Sequence, residues 1–514
     1  MTSLPNDVPL YRNPIVDADV PDPDAIRVGD TFYLVCSSFN RTPGLPIHAS
    51  SDLVNWELIG HALPAAHVGE WFALPRHGGG VWAPSIRHHD GVFHVVYPDP
   101  DQGILVTSAE DPAGPWSAPR TLLAGLGLID PCPLWDDDGN AYLVHGWAAS
   151  RAGRKNLVTV VPVDTGLTTA LGAGVDVIDG DALPGYRTLE GPKFYKRNDW
   201  YWIFAPAGGV ADGWQSVFRS RGPWGPYEER IVLAQGETPV NGPHQGAWVQ
   251  TADGRDWFLH FQDRGVFGRV LHLQPMGWGD DGWPVMGRAV DGGAAEPVIE
   301  YPSPLGATQR RRSLETADEF AEGRPGPQWA WQAKPREDWI EEGGPGRLVL
   351  RAVANDTGSL RTLPQVLGQP LPGIVCDAAV RIALDGPVGA RAGITVLGRG
   401  YLWVGVRMTD GGPRLVVATR IEAGLSETVV HDEALNGAGA CVGISSDETG
   451  RLTVSVGEPG EQRVVHEGHQ ATAGQWIGAE LGLFAAAPIG GESGRASFSD
   501  WSVVLRDRVP ELRA

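Results

Sequence analysis

One pattern recurs five times in the first three hundred residues, and it limits the fold more than any other feature of the chain. Each copy has polar or Pro-containing leading residues, an apolar strand, a short Gly-Asp, Asp-Gly or Asn-Asp turn, and an aromatic-rich strand. The copies are PDPDAIRVGDTFYLVCSS, WAPSIRHHDGVFHVVYPD, IDPCPLWDDDGNAYLVHGW, LEGPKFYKRNDWYWIFAPA and PHQGAWVQTADGRDWFLHFQD. They follow one another at roughly 45–60 residues, the spacing of propeller blades or solenoid units. Asp-Gly between alternating hydrophobics signals a hairpin, and helical periodicity is nearly absent. Later segments repeat as well: SAEDPAGPWSAPRTLL resembles FRSRGPWGPYEERIVL. Five hairpin-led units of this size predict a five-bladed β-propeller over residues 1–305.

After MGWGDDGWPVMGRAV the pattern stops. The stretch YPSPLGATQRRRSLETADEF is polar and Pro-containing and reads as a linker, with Arg310, Arg311 and Arg312 as solvated linker residues. Alternating strands then return in GRLVLRAV, IVCDAAVRIAL, AGITVLG, YLWVGVRM, RLVVAT and ASFSDWSVVLR. With Gly-rich turns between them, they predict a jelly-roll β-sandwich, so that residues 306–514 comprise linker and sandwich and the chain is all-β. The glycines of GAGACVG, from Gly437, have no dinucleotide-type spacing and read as a turn. No HExxH, GxSxG or GxxxxGK[ST] motif is present.

Net charge decides the class of partner. With 41 Lys and Arg against 62 Asp and Glu the chain carries −21, which excludes an electrostatic footprint for nucleic acid or anionic lipid. Neutral or cationic small ligands remain. The four cysteines, Cys36, Cys132, Cys376 and Cys441, lie far apart and read as free thiols. No apolar run reaches the ~18–20 residues of a membrane span. MTSLPNDVPLYRNP has neither a basic segment nor an apolar one, so the expected location is cytoplasmic, or periplasmic or secreted if a leader was trimmed. Of the 20 tryptophans, most are expected in cores and a few at a site that stacks on sugar rings.

The leading residues of the five repeats align Asp22, Pro84 (after Trp82), Asp130, Glu190 and His244. Innermost strands of a propeller line its central channel, so these positions should meet at one end of the axis. Asp22 is held between Pro21 and Pro23, which stiffen the backbone on both sides. A single such carboxylate reads as a turn residue. Three at equivalent positions suggest converging like charges, which push pKa values apart. Glycoside hydrolysis needs that: one carboxyl protonates the leaving oxygen and another activates water.

These motifs carry a resemblance to a known family. NPIVDADVPDPDAIRVGDTFYLVCSSF, IHASSDLVNWELIGHAL, GGGVWAPSIRHHDGVFHVVY, LIDPCPLWDDDGNAYLVHGW and LEGPKFYKRNDWYWIFAPAGGV, in this order, resemble glycoside hydrolase family 43, the five-bladed-propeller pentosidases. NGPHQGAWV with WFLHFQDRGVFGRVLHLQPMGW looks like one of its subgroups. QWAWQAKPREDW and ASFSDWSVVLR are similar to the concanavalin-like sandwich that follows the propeller in xylosidase and arabinofuranosidase members. The resemblance implies Asp22 as general base, Glu190 as general acid, and Asp130 as the carboxylate that orients the acid and raises its pKa. It implies Arg269 as a contact to the substrate sugar and Trp82 as a wall of the sugar pocket. His244 matches a channel histidine that lies next to a bound calcium or water in several members; a satisfied axial histidine without metal is the alternative. The implied activity is inverting, exo-acting release of α-L-arabinofuranose, β-D-xylose or both from pentose-containing plant cell-wall oligosaccharides, with no cofactor in the chemistry and a structural calcium in the channel as a further expectation. Two alternatives compete. Propeller fructosidases and levansucrases carry an Arg-Asp-Pro triplet and a Glu-Cys acid motif, where this chain has LIDP and LEGP. A non-catalytic carbohydrate-binding protein on the same scaffold would not need all three carboxylates.

Overall fold

The computed structural model describes residues 8–422 and 426–506. Five four-stranded antiparallel sheets follow one another in chain order, each built from consecutive strands. Their innermost strands are Asp24–Val28, Ser85–His89, Leu128–Trp135, Lys193–Arg197 and His244–Gln250. The turns behave as their residues dictate. Asp90-Gly91 and Asn198-Asp199 are two-residue hairpin loops with positive φ at both positions, the backbone whose twist matches the flanking strands.

Each pair of neighbouring blades encloses its own apolar core. Val35 and Ile47 of the first meet Ile86 and Val95 of the second. Val96 and Val106 meet Leu143 and Val161. Val144 and Val158 meet Phe194 and Ile203. Phe204 and Val217 meet Phe258 and Met276. The ring closes where Phe32 and Leu34 of blade one pack on Val249 and Leu259 of blade five. Closure is reinforced by a two-stranded ladder between Leu10–Arg12 and Glu300–Pro302. Tyr301 and Pro302, expected in the linker, are therefore sheet residues, because the N-terminal strand needs a partner.

The chain then crosses to a sandwich of two seven-stranded antiparallel sheets around one core that includes Trp329, Leu350, Val380, Ile394, Val404, Leu483 and Phe498. Val375–Asp385 shows the alternating burial that its sequence predicts. GAGACVG is a correction: Gly439–Ser446 is a strand paired along Val375–Asp385. A Cβ at Gly439 would lie 2.8 Å from the Ile382 carbonyl oxygen, so this glycine marks a close backbone approach. Cys36, Cys132 and Cys376 are buried free thiols and Cys441 is partly buried.

Propeller and sandwich are joined by buried polar contacts. Arg41 of blade one pairs with Asp19 at 3.4 Å and with Glu480 of the sandwich at 2.6 Å. Asp19 also accepts backbone N–H groups from Arg269 at 2.9 Å and from Gly478 of the sandwich at 3.1 Å. Gly268 has φ 74°, and a Cβ there would lie 2.7 Å from the Gly478 nitrogen, so the two units approach where no side chain could stand.

Candidate active site

Proline stands at the same step of four blades: Pro23, Pro84 and Pro192 directly precede their innermost strands, and Pro131 lies inside Leu128–Trp135. Aligning on those prolines places Asp22, Ala83, Asp130 and Gly191 in equivalent positions, and Gln245 takes that place in blade five. The sequence alignment is corrected here. Glu190 and His244 stand one residue before the step of Asp22 and Asp130, as Trp82 does. The backbone agrees: Asp22, Asp130, Gly191 and Gln245 all have positive φ, at 53°, 55°, 61° and 34°. In blades three and five the ladder slips at this step, between Ile129 and Cys132 and between His244 and Gly246. Such bulges turn a side chain out of the strand's regular alternation and toward the axis.

These residues meet in one cavity of about 190 Å³ lined by Asp22, Phe39, Trp82, Asp130, Thr188, Glu190, His244, Gln245, Arg269 and Trp476, among others. All six residues expected at a site are in it. Six non-glycine residues of its lining have positive φ: Asp22, Phe39, Asp130, Thr188, Gln245 and Trp476. Backbone strain of this kind often clusters at functional sites, and its concentration here makes the cavity the candidate functional centre.

Asp22 is buried and doubly held. Arg269 Nη1 donates to its Oδ1 at 2.5 Å, and Ser37 Oγ donates to its Oδ2 at 2.5 Å. The guanidinium of Arg269 lies 4.8 Å from the Phe261 ring, which fixes its plane. Asp130 is 3% exposed and accepts the Gly191 N–H at 2.7 Å. Burial, and after it the Glu190 carboxylate, push its pKa up to about 8; the Gly191 N–H and Lys193 oppose the shift. Glu190 is more open, with a side chain 27% exposed, and its Oε1 lies 3.0 Å from His244 Nε2. Trp82 donates its indole N–H to the Gly78 carbonyl at 3.0 Å, which holds the ring as a wall.

His244 was also expected beside a metal. Its Nε2 is engaged by Glu190, and its buried Nδ1 has no partner among the described residues. Calcium takes 6–8 oxygen ligands. One imidazole nitrogen is not such a set, and no group of three or more His, Cys, Asp or Glu among the described residues is arranged for a metal. These residues alone do not make up a calcium set, and the satisfied axial histidine is met on one side only, where Nε2 contacts Glu190.

Several site residues escaped the sequence reading, among them Ser37, which holds Asp22, and the lining residues Phe39, Gln245 and Trp476. Ser37 and Phe39 follow the second strand of blade one, in a Ser-Ser-Phe stretch without a distinguishing pattern. Gln245 stood in a quoted repeat but was masked by the one-residue misalignment. Trp476 comes from a sandwich loop, and no sequence signal connects it to the propeller.

A propeller whose axis gathers three carboxylates, an arginine and tryptophan walls around one sugar-sized cavity defines a carboxylate-dependent glycoside hydrolase. The chain belongs to the glycosyl hydrolases family 43: that family's profile matches residues 11–284, and the β-xylosidase C-terminal concanavalin A-like domain matches residues 317–504. It is 38% identical to a protein of Xylanibacter ruminicola over 79% of this chain and 75% of that one. It is 35% identical to the non-reducing end α-L-arabinofuranosidase of Bacteroides ovatus over 67% of this chain and 65% of that one. Among solved structures, the xylan β-1,4-xylosidase of Bacillus halodurans superposes with a TM-score of 0.84 at 22% identity, covering 96% of this chain and 99% of the other, a likeness of fold. The family's chemistry needs no cofactor.

Proposed function

We propose that this protein is an inverting exo-glycosidase that releases terminal α-L-arabinofuranose, β-D-xylose or both from plant cell-wall oligosaccharides. The carrying observation is the unequal treatment of its carboxylates. Asp22 is clamped by Arg269 and Ser37, while Glu190 faces the cavity beside a buried Asp130 whose pKa is raised by burial and then by the Glu190 carboxylate.

In this reading Glu190 gives its proton to the glycosidic oxygen as the bond to the anomeric carbon breaks. Asp22 takes a proton from a water that attacks the same carbon from the opposite face, so the configuration inverts. Asp22 and Glu190 would then stand ~6.5–9.5 Å apart, to leave room for that water. Arg269 orients the base and holds its charge. Asp130 supplies the proton affinity: two carboxyls close together in a buried site do not both ionise at neutral pH, so one proton stays in the pair for the leaving group. Trp82, Phe39 and Trp476 wall a cavity with room for about one pentose ring, which favours terminal residues over internal ones.

The pentose assignment is supported by relatives named as an α-L-arabinofuranosidase of Bacteroides ovatus, a β-xylosidase of Formosa agariphila and a xylosidase/arabinosidase of Humicola insolens. The test is a side-by-side rate comparison on nitrophenyl α-L-arabinofuranoside and nitrophenyl β-D-xylopyranoside, followed by product analysis on short oligosaccharides. Turnover of either with release of single pentoses is expected. No rate above background, with sugar still bound, would make the protein a carbohydrate-binding one.

A further inference from the structure

Gln245 has three properties that do not belong together in a residue of merely structural role. It is 4% exposed. It has φ 34° at a bulge, a conformation that costs free energy for a residue with a side chain. Its side-chain amide lines the cavity and has no hydrogen-bond partner among the described residues. An amide that opens on the cavity and is held by no protein group is available to a ligand that enters it.

Its surroundings show where the amide lies. An added Cβ at Gly191 would stand 2.3 Å from Gln245 Cγ and 2.7 Å from Nε2, so the side chain runs across the face of Gly191. Gly191 is the residue directly after Glu190, and its N–H holds Asp130. On the other side Gln245 follows His244, which contacts Glu190. The side chain thus lies against the residue that follows Glu190 and holds Asp130. In blade five it takes the position that Asp22 takes in blade one and Asp130 in blade three, with the same left-handed backbone.

We infer that Gln245 is a substrate-recognition residue: its amide pairs with a ring hydroxyl of the sugar whose glycosidic bond is cleaved. An amide both donates and accepts, so it can satisfy a hydroxyl in both directions where a carboxylate could only accept. It also adds no charge to a site that already holds three carboxylates. A site built to pair a hydroxyl rejects an analogue that lacks it, so Gln245 sets specificity as well as affinity.

The inference rests on the glycosidase reading, and the experiment separates the two. Nitrophenyl pentosides with single hydroxyls replaced by hydrogen are compared on the wild-type protein, on Gln245→Met, which keeps an unbranched side chain against Gly191, and on Gln245→Ala. The wild type is expected to lose roughly 5- to 150-fold in kcat/KM on one particular deoxy substrate, the cost of an unpaired buried polar group. The variants should lose a similar factor on the intact substrate and then be indifferent to that same deletion. The pH–rate profile and the melting temperature should stay as in the wild type. Equal losses by the variants on every substrate, deoxy or not, would mean that Gln245 only shapes the cavity and would overturn the inference while leaving the glycosidase reading intact. If no substrate is turned over, calorimetric binding of free xylose and arabinose carries the same comparison: weakened binding in both variants supports Gln245 as a sugar contact, and unchanged or absent binding overturns it.

Discussion

Asp22 and Asp130 stand at the same step of blades one and three, each directly before a proline and each in left-handed backbone, with φ 53° and 55°. The fold therefore presents two carboxylates to one axis by the same local device and then treats them differently. Asp22 receives an arginine and a hydroxyl; Asp130 receives a backbone N–H and the neighbouring Glu190 carboxylate.

The first prediction concerns the clamped carboxylate. Asp22→Asn keeps the shape and removes the base, and should lower kcat by roughly 10²- to 10⁴-fold. Circular dichroism and thermal melting should show a folded protein. Normal turnover would remove Asp22 from the role of base.

Glu190→Gln should reveal the acid through the leaving group. Hydrolysis of xylobiose, whose leaving oxygen needs a proton, should fall by roughly 10²- to 10⁴-fold. A dinitrophenyl pentoside, which departs without help, should be affected far less. A uniform loss across leaving groups would point to misfolding or misbinding and not to acid catalysis.

Asp130→Asn has two readouts with a defined sign. Without the neighbouring carboxyl the pair no longer retains its extra proton, so the basic limb of kcat/KM should move to lower pH by about one unit or more. The second readout is stability. A carboxyl whose folded pKa is raised favours the folded state below its unfolded value near 3.9, and that contribution is lost as pH rises through about 8. The melting temperature of Asp130→Asn relative to wild type should therefore increase steadily from pH 4 to pH 8. A constant difference across that window would return Asp130 to the role of a turn residue.

Buried histidines set the acid limit. His48, His145 and His260 are all pushed down to about 4, chiefly by burial. A histidine with depressed folded pKa contributes stability that is complete above the unfolded value near 6.5 and is lost as pH falls toward 4. Melting temperature should fall steeply between pH 6.5 and 4. A flat profile there would contradict the burial of these rings as neutral groups.

Trp476 tests whether the sandwich shares in the site. Trp476→Ala should raise KM for a pentoside several-fold with a smaller change in kcat, because the ring is a wall and touches no reacting proton. Unchanged KM would leave the sandwich outside the sugar pocket.

Much of this was legible in the sequence because a repeat is a strong constraint. Five hairpin-led repeats of similar spacing admit few closed arrangements, and the strands Val375–Asp385 and Arg495–Arg506 carry their alternation openly. Asp22, Asp130 and Glu190 could be picked out because each sits beside Pro or Gly at a repeat's start. What failed was finer. The step between His244 and Gln245 depends on a bulge, and a bulge leaves no residue signature when Asp serves at the same step of blade three. Gly439 reads as a turn because glycine also marks close backbone approach within a sheet. Trp476 lay beyond reach because its place depends on how two domains dock, through Asp19, Arg41, Glu480 and paired glycines that are individually unremarked.

The central claim is that Asp22 and Glu190 act from opposite faces of the sugar in a single displacement. Proton NMR of xylobiose hydrolysis, recorded before mutarotation, tests it most directly. The account predicts that the sugar released from the non-reducing end appears first as α-xylose, with the β anomer growing in later. First appearance of β-xylose would mean retention through a covalent intermediate and would contradict the assignment of Asp22 as a base acting on water.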